Sequence, residues 1–203
     1  MRKTLALVAI ASLLAAPAFA QPVAGGAAPK DAYAVANLTN TAPAAAPITV
    51  AEVEAAQRAW GNALVAISTE YKKNGQAAAA RLAGQVLDGA YGYNLGPVAF
   101  KPTLTSGDTT FRTTREGALA YFVGGNTRFA TDTGFALKGW QSYEIDNAAI
   151  VINGSTAIST GNVMLTNERG EVTKVDKTWG WVRDAKGGLR IVLHHSSLPY
   201  SPN

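Results

Sequence analysis

The chain contains no cysteine and only two histidines in 203 residues. The first absence excludes a disulfide framework, a thiolate metal ligand, a thiol nucleophile and a lipid-modified cysteine, so folding rests on packing alone. The two histidines are neighbours, His194 and His195. Adjacent strand residues face opposite sides of a sheet, so this pair is not suited to gripping one ion. No Asp/Glu/His spacing elsewhere resembles a zinc site, and no metal is expected. Gly124-Gly125 has no Walker or dinucleotide pattern around it, and no Gly-x-Ser-x-Gly occurs, so no cofactor and no serine nucleophile are expected. Charge is also scarce. Only 16% of residues are charged, and 18 Lys and Arg stand against 14 Asp and Glu. Without Arg2 and Lys3 the balance is 16 against 14, and no basic run exceeds Lys72-Lys73. That is no nucleic-acid footprint.

What is abundant is apolar: 47% of the chain, enough for a sizeable core. The first twenty residues read as a secretory signal. Arg2 and Lys3 precede a short apolar stretch, Leu5 to Ala16, and Ala18-Phe19-Ala20 forms a small-x-small cleavage site. The stretch is too short to span a bilayer and no later segment is a candidate, so the expected location is periplasmic or secreted, with no membrane span once the signal is removed. Residues 21–48 are rich in Ala, Pro and Gly and read as a flexible tether; residues 49–203 form the domain.

Order begins at a capping box, Thr49-Val50-Ala51-Glu52, with Ile48 and Val53 placed as a hydrophobic staple. Val53, Ala56, Trp60, Leu64, Ile67 and Tyr71 recur on one helical face, and Asn74-Gly75 stops it. A second helix spans about Gln76 to Asp88. Val98 to Lys101 reads as a short strand ended by Pro102. Thr113-Thr114-Arg115-Glu116 opens a short helix from Thr114 to Val123, closed by Gly124-Gly125. Strands follow: Phe135 to Asp146, Ala148 to Ile152, a turn at Asn153-Gly154, Ser155 to Thr166, a turn at Asn167 to Gly170, and a closing hairpin from Glu171 to Tyr200. Helices first and antiparallel strands afterwards is the α+β order. A long sheet under one dominant helix curls into a cone with a concave pocket.

Leu87-Asp88-Gly89-Ala90-Tyr91, Phe100-Lys101-Pro102-Thr103-Leu104, Phe135-Ala136-Leu137 and the run from Lys177 through Leu198 carry a family resemblance. With this element order, the stretch from Val50 to Tyr200 resembles the nuclear transport factor 2-like superfamily. Within it the chain is similar to bacterial proteins related to the association domain of calcium/calmodulin-dependent protein kinase II, and more distantly to the SnoaL-like polyketide cyclase and ketosteroid isomerase group. The resemblance implies a curved antiparallel sheet closed by helices and assembly into a homodimer or larger ring. In the association domain, arginines of the last strands point into the cone. The matching positions here are Thr178 and His195, so a carboxylate-binding role does not carry over directly.

If the Leu189, Ile191 and Leu193 face packs on the helices, His195 shares it and points into the cone, and His194 lies outside at an interface or in a structural role. His195 is then either an acid–base or ligand-binding group, or a buried histidine held by Tyr or Ser. If Thr178 faces the cone, Asp176 does too, as a general base or as the ion-pair partner of Lys174 or Arg190. Ser197, Lys101 before Pro102, Asp132, and the loop residues Tyr91 and Tyr93 complete the candidate pocket. Trp60, Tyr71 and Tyr121 read as core. The function expected from this is an exported module that assembles with itself and holds a small polar or acidic molecule, with no assigned reaction. The alternative is a cofactor-free acid–base enzyme, isomerase-, cyclase- or dehydratase-like, using His195 and Asp176.

Overall fold

The computed structural model describes residues 46–202, so the signal and most of the tether lie outside the described residues. Helix α1 (Val50–Ala90) starts at the capping box: the Thr49 N–H donates to Glu52 Oε2 at 2.9 Å and the Glu52 N–H to Thr49 Oγ1 at 3.3 Å. Ile48 and Val53 are both buried beside it. Gly75 breaks the helix into two arms, with φ 79° and ψ −179°, a conformation that costs glycine little and other residues much. The first arm buries Val53, Gln57, Trp60, Leu64, Ile67 and Ser68; Tyr71, past the end of this set, is exposed rather than core. The second arm buries Ala78, Ala79, Ala83 and Leu87. No helix of the described residues is long and apolar enough to cross a membrane.

Five strands make one sheet in the order β1-β5-β4-β3-β2. They are β1 (Ala99–Lys101), β2 (Trp140–Asn153), β3 (Thr156–Asn167), β4 (Val172–Arg183) and β5 (Leu189–Ser197). β2 to β5 form the antiparallel meander, while β1 joins β5 in parallel, so the sheet is mixed rather than wholly antiparallel. Helix α2 (Arg115–Val123) is capped by Thr114 and not by Thr113; the Thr114 hydroxyl accepts from the Gly117 N–H at 3.2 Å. The helices close over the sheet face carrying Val163, Leu165, Val175, Trp179 and Trp181, giving the α+β architecture one continuous core. Each such side chain contributes on the order of 2 kcal/mol by burial.

Two strand expectations change. The strand expected from Phe135 starts at Trp140, because Phe135–Leu137 is a 3₁₀ turn and Gly139 has φ 76°. The expected break at Asn147 is instead a bulge within one long β2, where the pairing with β3 shifts between Asn147 and Ala149. Opposite it, a Cβ on Gly161 would fall 2.0 Å from the Asp146 carbonyl, so glycine is required there. Gln57 clamps the bulge, exchanging hydrogen bonds of 2.8 and 2.9 Å with Asn147.

A second irregularity governs the site. Along β4 and β5 the register runs Lys177↔Ser196, Thr178↔His195, Trp179↔His194 and Gly180↔Leu193, and then jumps to Trp181↔Ile191. β5 therefore carries one extra residue at Val192. A bulge of this kind reverses the in–out alternation beyond it. Ile191 and His194 both face the core as a result, three residues apart instead of two or four.

Candidate active site

β4 places Val175, Lys177, Trp179 and Trp181 on the core face, and all four are buried. Beyond its bulge, β5 brings His194 and Ser196 alongside them. Pro102 ends β1 by removing a backbone donor, and Thr103 follows it into the interior. α2 supplies Tyr121 and Phe122, and the first arm of α1 supplies Trp60. These residues other than Val175, Trp179 and Trp181, with Phe100 and Phe135, line a narrow, tightly packed crevice.

The polar groups in it form a chain. Trp60 Nε1–H donates to Tyr91 Oη at 3.0 Å, and Tyr91 Oη meets His194 Nδ1 at 2.8 Å. His194 Nε2 lies 3.0 Å from Lys177 Nζ, which donates to Ser196 Oγ at 3.3 Å. Ser196 Oγ shares a 2.6 Å hydrogen bond with Thr103 Oγ1. The Tyr121 hydroxyl is buried beside Thr103 without a hydrogen bond of ordinary geometry. Aromatic rings enclose the chain: Phe100 stacks on His194 at 4.6 Å, and Lys177 Nζ sits 4.5 Å from the centre of a Trp60 ring.

Burial sets the electrostatics. It pulls the Lys177 amine down to about 7, because the charged form loses hydration and no carboxylate replaces it. It also pushes His194 well below the usual imidazole range, with Lys177 and His195 adding to the shift, so the ring is neutral at physiological pH. The Tyr121 phenol is driven up by burial and stays protonated, a donor. Arg112 differs from Lys177 in being equally buried but paired. It holds Asp132 through two hydrogen bonds of 2.9 Å and lies 4.4 Å over the Phe129 ring. Burial raises the Asp132 carboxyl and Arg112 opposes that shift.

The structure rearranges the residues expected to form the pocket. His195 is exposed on the outer face and His194 is the interior histidine, the reverse of the expected orientation, because the extra residue at Val192 breaks the alternation counted from Leu189. Asp176 and Thr178 are half-buried on the outer face, opposite Ser197 and His195, and Lys177 is inside. Asp176 accepts from Asn162 Nδ2 at 2.8 Å instead of pairing with Lys174 or Arg190, and Arg190 pairs with Asp184. Thr178 shares a 3.1 Å hydrogen bond with Thr160. Lys101 is half-buried and donates to the Ser196 carbonyl at 3.0 Å. Tyr91 is in the chain itself, with Tyr93 stacked on it at 5.9 Å. Asp132 is buried with Arg112. Lys177, His194, Ser196, Thr103, Tyr121 and Trp60 were not expected to form the site. The signal for the first was present: Lys177 is in phase with Val175, Trp179 and Trp181, bulky residues that belong inside. Among the described residues no three His, Asp or Glu side chains gather as a metal ion would need.

Comparison with known proteins gives this pocket its context. Residues 51–198 match the family model described as metal-independent carbonic anhydrase. A protein of that name from Nostoc sp. (strain PCC 7120 / SAG 25.82 / UTEX 2576) is 60% identical over 153 residues, 75% of each chain. The crystal structure of a cyanobacterial iota-carbonic anhydrase complexed with bicarbonate superposes with a TM-score of 0.77 at 56% identity, covering 81% of this chain and 100% of the other. A calcium/calmodulin-dependent protein kinase II association domain from Xanthomonas campestris matches at a TM-score of 0.49 and 19% identity, over 82% of this chain and 100% of its own. The expected binding or assembly module without an assigned reaction is overturned by the first three matches: the chain belongs to the metal-independent carbonic anhydrase family.

Proposed function

We propose that this chain interconverts carbon dioxide and bicarbonate in the Lys177–His194 crevice, using its own side chains. The observation that carries the reading is a buried lysine hydrogen-bonded to a neutral imidazole and a serine and to no carboxylate. As the neutral amine, Lys177 has a free lone pair at a pH where water is otherwise a poor nucleophile, the situation of a general base tuned toward neutrality. Lys177 takes a proton from water as the water oxygen bonds to the carbon of CO2, and one C=O electron pair moves onto oxygen. The Tyr121 hydroxyl, and whichever of the Thr103 and Ser196 hydroxyls does not donate to the other, are directed toward the oxygens that gain charge, between aromatic walls. The protonated Lys177 then pairs with bicarbonate, and its proton must pass out before the next cycle. Stopped-flow CO2 hydration by the chelator-treated chain is the test. Persistent activity is expected; no acceleration, or activity restored only by added metal, overturns the reading.

The same proposal includes two features of setting. The pattern of residues 1–20 supports export. Val151, Ile158 and Val172 are 63%, 51% and 61% exposed on the outer sheet face, and this supports self-association through that face. Sedimentation of wild type against Ile158→Lys tests the second: the variant is expected to be the smaller species.

A further inference from the structure

We propose that Lys177 is a carbamylation site, its amine adding reversibly to carbon dioxide while the proton it loses passes to His194 Nε2. This rests on the carbonic anhydrase reading, because that activity brings CO2 into the crevice. Four observations lead to it. Among the described residues Lys177 is the buried cation whose hydrogen bonds include no carboxylate; Arg112, Arg183 and Arg190 each hold one. Its two polar neighbours, His194 Nε2 and Ser196 Oγ, use both N–H bonds of a neutral amine. The Trp60 and Trp179 ring centres lie 4.5 and 5.7 Å from Nζ, and among the described residues its hydrogen bonds go only to His194 and Ser196, so the amine lone pair has no hydrogen-bond competitor. The acceptor for the displaced proton is already on the amine, since His194 directs Nδ1 at Tyr91 and Nε2 at Lys177.

The step balances without any other reactant. The amine lone pair forms the N–C bond, one C=O pair moves to oxygen, and the N–H proton crosses the existing hydrogen bond to His194. Neutral amine, neutral imidazole and CO2 become a carbamate and an imidazolium side by side, with no change in net charge and no redox change. Tyr121, and whichever of Ser196 and Thr103 does not donate to the other, supply donors for the two carbamate oxygens. Burial supports the chemistry, since an amine pulled to about 7 is about half unprotonated near neutrality, whereas ordinary surface lysines are almost wholly protonated. Water and CO2 compete for the same lone pair, so the carbamate form is one in which hydration is switched off. The structure thus predicts reversible self-inhibition at high CO2.

The test uses the chain labelled with heavy nitrogen in lysine, equilibrated with heavy-carbon CO2, and read by NMR for a carbon–nitrogen coupling that only a covalent carbamate gives. CO2 hydration is measured on the same sample. A coupled signal is expected that grows with CO2, disappears when CO2 is removed, and is lost in Lys177→Arg but kept in Lys72→Arg. An active chain without that signal overturns the proposal and leaves the carbonic anhydrase reading standing. A signal lost equally in both variants also overturns it. A Lys177 carbamate on an inactive chain supports the proposal and overturns the hydration reading instead.

Discussion

The two faces of β4 and β5 are built from alternate residues of the same short stretch, yet they differ in chemistry. Outside, Asp176 accepts from Asn162, Thr178 shares a hydrogen bond with Thr160, and His195 is exposed to solvent. Inside, Lys177, His194 and Ser196 are each no more than 3% exposed and have aromatic rings for neighbours. The residue types are similar on both faces: a charged group, a histidine and a hydroxyl. Water is the difference. Its presence leaves the outer set interchangeable with many surfaces, and its exclusion pulls the inner Lys177 amine down to about 7 and keeps His194 neutral.

The comparison breaks most directly at residues 176 and 177. Lys177→Met is expected to lower CO2 hydration by roughly 10²- to 10⁴-fold, the usual worth of a positioned base, while Asp176→Asn changes it less than about twofold. Equal losses in stopped-flow assays would mean the inner face is not special.

Stability sharpens the contrast between a buried charge with a partner and one without. Asp132→Asn strands Arg112 and is expected to cost about 3–5 kcal/mol in denaturant titrations. Lys177→Met should do the opposite and raise stability, by removing a buried amine that no carboxylate offsets. The sign with pH follows from the lowered value. Between about 7 and the ordinary lysine range the unfolded chain binds the extra proton, so wild-type stability rises with pH across that window. The gain from Lys177→Met is therefore largest at and below about 7 and shrinks above it; a gain that grows with pH would contradict this.

Smaller effects follow. Tyr121→Phe should slow hydration roughly a hundredfold, as loss of one oriented donor does, and leave the melting temperature within error because the hydroxyl makes no good hydrogen bond of its own. The wild-type hydration rate is expected to climb as pH rises through about 7, as the Lys177 amine loses its proton. A flat profile there would remove Lys177 from the role of base. Last, His195→Ala should stay within about 0.5 kcal/mol of wild type in stability, as exposed substitutions do, with near-normal turnover, whereas His194→Ala should not.

Much of the scaffold was legible because its signals are local. The capping box at Thr49, the break at Gly75 and the turns at Asn153-Gly154 and Asn167 to Gly170 each depend on residues a few positions apart. The site was not, because its geometry depends on an event the residue types do not announce. Nothing in Ile191-Val192-Leu193 marks Val192 as supernumerary; the bulge appears only when β5 is laid against β4. Counting from Leu189 therefore put the wrong histidine inside. Counting on β4 from the tryptophans would have placed Lys177 correctly, since large aromatic residues hold their side of a sheet more firmly than Leu or Val does. Thr103 and Tyr121 reach the crevice through tertiary packing; in the sequence Thr103 stands out only as part of the Phe100 to Leu104 motif and Tyr121 only as a core residue.

The extra residue in β5 has a consequence for descent as well as for geometry. His-His-Ser-Ser spells the same motif whichever histidine is turned inward. Loss of the single codon for Val192 would leave nearly every letter of the chain in place while exchanging which imidazole and which serine meet the substrate. At this position a gap of one in an alignment says more about catalytic competence than many substitutions elsewhere, and relatives that keep the motif but not the insertion belong, chemically, to a different enzyme.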